Sequence, residues 1–91
     1  MTISEIVKQS VNDGAVLIRY RANSHKETGT AQYDCKPIFT GSKRGWTMLD
    51  ITTAGAMLAV YNALKPEHQA KFDNIPLGRL VDFVWKQVRA A

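Results

Sequence analysis

The period of the apolar pattern changes along this chain, and that change constrains the fold more than any other feature. From Ala15 to Ala22 the side chains alternate: Val16, Ile18 and Tyr20 point one way, and Leu17, Arg19 and Arg21 the other. Ala31 to Lys36 alternates again, with Ala31, Tyr33 and Cys35 against Gln32, Asp34 and Lys36. Beyond Asp50 the spacing becomes helical. Met57, Val60, Tyr61 and Leu64 fall at i, i+3, i+4 and i+7, with Ala54 and Leu58 beside them. Leu77, Leu80, Val81, Val84, Trp85 and Val88 form a second stripe. Strands followed by helices predict an α+β fold. An N-terminal helix precedes a small antiparallel sheet of two or three strands, and two or three helices then pack on one sheet face.

Local signals set the boundaries. Thr2 and Glu5 have capping-box spacing, so a helix carrying Ile3, Ile6, Val7 and Val11 on one face starts there. Asn12-Asp13-Gly14 reads as its end, with Gly14 expected in the left-handed conformation. Asn23 to Thr30 reads as a polar loop. The two alternating segments around it predict a hairpin with Arg19 opposite Asp34 and Arg21 opposite Gln32. Pro37 cannot donate to a sheet ladder, so the second strand is an edge strand or breaks there, with Ile38 to Thr40 as its expected continuation. Gly41-Ser42-Lys43-Arg44-Gly45 reads as a tight basic turn leading to a third strand, Trp46 to Leu49, in a second hairpin. Asp50, Thr52 or Thr53 can cap a helix to about Leu64. Pro66 opens a short polar helix to about Phe72, and Pro76 the last one.

On this reading Val16, Ile18, Tyr20, Tyr33 and Cys35 face the helices. Arg19, Arg21, Gln32, Asp34 and Lys36 form the outer face. The chain, residues 1–91, is expected to be one domain with a modest core, since 91 residues bury only about 60–65% of their unfolded surface.

The charge is concentrated where the strands are. The formal net charge is +4, and residues 19–46 carry all of it: Arg19, Arg21, Lys26, Lys36, Lys43 and Arg44 against Glu27 and Asp34. Tyr20, Tyr33, Phe39 and Trp46 are interleaved with these cations. Such a surface suits phosphate and bases, or an acidic protein. The candidate binding residues are therefore Arg19, Arg21, Lys26, Lys36, Lys43, Arg44 and Trp46. Polar residues on an outer sheet face are also ordinary solvation. The basic turn offers N–H groups and two cations for a phosphate, but it lacks the spacing of a Walker A loop.

Catalytic chemistry finds little support. Cys35 with His25 or His68 could in principle form a nucleophile–base pair, but Cys35 is expected to face the core as a small hydrophobe. The carboxylates are scattered, and no His, Cys, Asp or Glu cluster has metal-ligand spacing. No catalytic residue, cofactor or metal is expected. One cysteine excludes an intramolecular disulfide. The N-terminus lacks the basic and apolar regions of a secretory signal, and the apolar run Ala54 to Tyr61 falls far short of the roughly 20 residues that span a bilayer. A cytoplasmic protein without membrane contact is expected.

The expected function is that of a small non-enzymatic binding or regulatory module. Its partner is acidic, either nucleic acid or a protein complex that handles nucleic acid. Size and charge suit, by analogy, a phage or mobile-element accessory protein. The alternative is a protein–protein interaction or oligomerisation module, or an inhibitor, whose basic face is only solvated. Phe83 lies off the last stripe beside Asp82 and Lys86, where it can seed a homo-oligomer contact, although one exposed Phe is ordinary.

Overall fold

The computed structural model describes residues 1–90. Helix α1, Ile3–Asp13, starts at the predicted capping box: Thr2 Oγ1 accepts from the Glu5 N–H at 3.3 Å, and Glu5 Oε1 accepts from the Thr2 N–H at 3.0 Å. Gly14 ends it by donating its N–H to Ser10 O at 2.8 Å. Its φ of 104° and ψ of −178° lie outside the left-handed helical region that was expected, in a conformation open essentially to glycine alone. Ile3, Ile6 and Val7 are buried, whereas Val11 is exposed.

Strand β1, Val16–Tyr20, pairs antiparallel with β2, Tyr33–Pro37, in the predicted register, with Arg19 opposite Asp34. The Arg21 N–H extends the pairing to Gln32 O at 2.9 Å. The segment between these strands is not simply a loop: Ser24–Thr28 forms a short helix, α2. Asn23 precedes it at φ 64°, a conformation that Asn tolerates better than most residues. The buried Ser24 fastens α2 to the sheet, its Oγ accepting from the Gln32 N–H at 2.9 Å.

The third strand, β3, Thr47–Leu49, corrects the expected second hairpin. It pairs with β1, not β2, giving the order β2-β1-β3. The expected continuation Ile38 to Thr40 is a turn, in which the Thr40 N–H donates to Pro37 O at 3.1 Å. Since β2 and β3 both run antiparallel to β1, they are parallel to each other. Residues 38–46 therefore form a crossover that returns the chain across β1, where the sequence predicts a strand continuation and one tight turn.

The remaining helices are α3, Ile51–Ala63; α4, Pro66–Phe72; and α5, Leu77–Ala90. Asp50 caps α3 through the Thr53 N–H at 2.6 Å. α3 has no charged residue, in keeping with its position between α1, α4 and α5. One core joins these helices to the inner sheet face: Ile3, Ile6 and Val7; Val16, Ile18, Tyr33 and Leu49; Ala54 and Met57; Phe72; Leu80 and Val84. Phe83, expected to be exposed, is partly buried against this core, so α5 buries more than one narrow stripe.

Two side chains from the α4–α5 turn tie distant parts of the chain together. Asp73 accepts from both the N–H and the Oγ of Ser4 at 2.9 Å, in the first turn of α1. Asn74 Oδ1 accepts from the Ala31 N–H at 3.0 Å, just before β2. The result is one α+β domain with its helices on one side of a three-stranded sheet.

Candidate nucleic-acid interface

Alternation along β1 and the register of β2 bring Leu17, Arg19, Asp34 and Lys36 onto the outer face. The crossover must pass over this face, because helices fill the other. Two contacts fix its path. Lys36 Nζ donates to Ser42 O at 2.9 Å. The Trp46 ring centroid lies 4.4 Å from Arg19 Cζ and 4.3 Å from Lys36 Nζ. The crossover therefore covers Leu17, which is 1% exposed although it lies outside the main core. Burying this leucine contributes about 1.5–3 kcal/mol and anchors the crossover.

The cations divide into two sets. Arg19 and Arg21 both reach Asp34: Arg21 Nη2 is 2.9 Å from Oδ1, and Arg19 Nη2 is 3.2 Å from Oδ2. These bonds, that from Arg21 first, hold the Asp34 carboxyl below the usual carboxylate range. Both arginine side chains stay more than half exposed. Lys36 is held by Ser42 and Trp46. Lys43 and Arg44 lie exposed on the crossover, where the Arg44 N–H donates to Ser42 Oγ at 3.1 Å. The outer face thus presents Arg19, Arg21, Lys36, Lys43 and Arg44 against one carboxylate, Asp34.

Two of the candidate residues are placed differently from expectation. Lys26 is exposed on α2, away from the strands and the crossover, and lines a groove at the Tyr20 end of the sheet that Arg19 also borders. Trp46 is only partly exposed and already engaged by two cations, so it braces the crossover more than it offers a free stacking surface. Cation–π contacts of this kind are worth about 0.5–1 kcal/mol at exposed sites.

Asp34 and Ser42 shape the site without being among the candidates. The signal for Asp34 was its place opposite Arg19 in the alternating pattern. Ser42 gave none, because its carbonyl meets Lys36 only through the crossover. Phe39, on the same crossover, is 87% exposed.

The groups weighed for catalysis are dispersed. Cys35 is half-buried, and desolvation pushes its thiol up, opposite to what an activated thiolate requires. His25 is on α2 and His68 on α4. Among the described residues no group of three or more His, Cys, Asp or Glu lies close enough to hold a metal ion, and no helix is long and apolar enough to cross a membrane. Comparison with protein families, curated proteins and solved structures finds no match.

Proposed function

We propose that this chain is a non-enzymatic binding module that takes the phosphate backbone of a nucleic acid on its outer sheet face. The observation that carries the reading is that Arg19, Arg21 and Lys36 share the face turned away from the helices with the crossover that bears Lys43 and Arg44, and that among the described residues only the two arginines are paired, with Asp34. Arg19 and Arg21 leave β1 on the same side, about 6–7 Å apart by strand geometry. Guanidinium groups suit phosphate oxygens because their planar forks donate two parallel hydrogen bonds. Lys43 and Arg44 extend the cationic surface along the crossover.

Asp34 gives the reading a specific form. Without a ligand it holds both guanidinium groups in place, and an incoming phosphate competes for the same donors. Asp34 thus pre-orients the arginines while limiting their affinity.

A second reading, that of a protein–protein contact or an inhibitor, draws support from Phe39. An almost fully exposed aromatic on a basic loop resembles the anchor residues of protein interfaces.

Salt dependence separates the two. Fluorescence anisotropy with labelled single- and double-stranded DNA and RNA should show binding that weakens steeply as salt rises. Arg19→Ala/Arg21→Ala should weaken it further and reduce the slope of log K against log salt by about 1.4–1.8, two phosphate contacts' worth. No binding even at low salt would remove the nucleic-acid reading and leave the protein partner.

A further inference from the structure

The helical layer does not cover the whole inner face of the sheet. It stops short of the Tyr20 end, leaving an open groove of about 820 Å³ between the sheet, α2 and the α4–α5 turn. Ile18 and Tyr33 contribute its apolar sheet side, and Ile75 and Leu77 line the opposite wall. Tyr20, expected beneath the helices, instead stands 48% exposed at this groove because the layer ends before reaching it. Tyr33 braces it edge-on, with centroids 5.6 Å apart and ring planes at 66°.

The rim is cationic. Lys26 and Arg19 line the groove together with His25, and no Asp or Glu does. The strand edge adds polar groups. Arg21 directs its N–H to β2, so by alternation the main chain of Tyr20 faces the opposite edge. Pairing with β3 has already ended there at Ile18 and Thr47. The Tyr20 N–H and C=O thus lie beyond the ladder, beside Gly45 and Thr47 at the groove.

Resting on the outer-face reading above, we infer that the groove takes an unstacked base and that the nucleic acid bound is single-stranded. Tyr20 supplies the aromatic surface. The free main-chain edge beside it offers one donor and one acceptor, the pattern a base edge requires. Arg19 and Arg21 flank Tyr20 along β1, so phosphates held by them bring the neighbouring base to this end of the sheet. Lys26 meets the backbone on the far rim. A duplex keeps its bases stacked and paired and cannot fill such a groove without losing both. Aromatic residues beside a basic track are the usual device for gripping single strands.

The test compares labelled oligo(dT) with a duplex of equal length, at one salt concentration, for the native chain, Tyr20→Ala, Tyr20→Phe and Lys26→Ala. The single strand should bind about tenfold tighter than the duplex, and Tyr20→Ala should remove about that factor for the single strand alone. Tyr20→Phe should keep the affinity, since the ring remains. Lys26→Ala should weaken single-strand binding by a smaller factor and reduce its salt slope by about 0.7. Far-ultraviolet circular dichroism checks that each variant is folded. Equal affinity for both forms, or a Tyr20→Ala variant that binds oligo(dT) normally while Arg19→Ala/Arg21→Ala does not, overturns the groove inference and leaves the outer-face reading standing. Binding of neither form overturns both.

Discussion

The two faces of the sheet bury their leucines and isoleucines by different means. On the inner face Ile18 meets a layer of helices that carries Ile6, Met57, Leu80 and Val84. On the outer face Leu17, the preceding residue, is as well buried as Ile18, yet its cover is a crossover held by Lys36, Ser42, Arg19 and Trp46. One cover is apolar and thick, and the other is thin, polar and basic. Equal burial therefore does not mean equal construction. The thin cover also carries Lys43 and Arg44, both exposed.

Truncating one buried leucine on each face separates the two constructions. Leu80→Ala, in α5 and fully buried, should cost about 2–5 kcal/mol in urea unfolding, because the helices around it relax only partly into the cavity. Leu17→Ala should fall near the low end of that range, about 2 kcal/mol, since a loop collapses more readily than packed helices. A Leu17→Ala cost near zero would mean that the crossover does not seal the outer face.

The strand pairing and the helix boundaries were legible in the sequence, and the crossover on the outer face was not. Alternation from Ala15 to Lys36 predicted the pairing of Arg19 with Asp34, because a hairpin register follows from short-range pattern. The capping box at Thr2 and the prolines at 66 and 76 placed helix boundaries for similarly local reasons. The order β2-β1-β3 was hidden, since the glycines at 41 and 45 read equally well as a hairpin turn or as bends in a crossover. That one ambiguity concealed the cover over Leu17 and the bond from Lys36 to Ser42. The position of Lys26 was lost with α2, a five-residue helix too short for a periodic signal. Exposure of Tyr20 depended on where the helical layer ends, which no spacing records.

Smaller effects concern the charges. Glu5, Asp34 and Asp50 are all held below the usual carboxylate range: Glu5 by Thr2, Asp34 by Arg21 and Arg19, and Asp50 by the Thr53 N–H. A carboxylate depressed in the folded state stabilises the fold above its unfolded pKa, about 4, and loses that contribution as pH falls through the folded value. The melting temperature should accordingly decline as pH drops below about 4, by a modest amount because Glu5 and Asp50 are exposed and Asp34 is partly so. Asp34→Asn should flatten part of that decline and, by releasing Arg19 and Arg21, tighten nucleic-acid binding near neutral pH. A variant with unchanged affinity would show that Asp34 does not compete with phosphate.

Amide chemical-shift mapping would show whether the proposed nucleic-acid surface is the outer face and its crossover. The ¹⁵N-labelled protein would be titrated with unlabelled oligo(dT) at low salt. Shifts concentrated at Arg19 to Arg21, Lys36 and Lys43 to Trp46, and reversed by added salt, are the predicted result. Shifts confined to the helical side, around exposed Ile51 and Val88, or none at all, would contradict it.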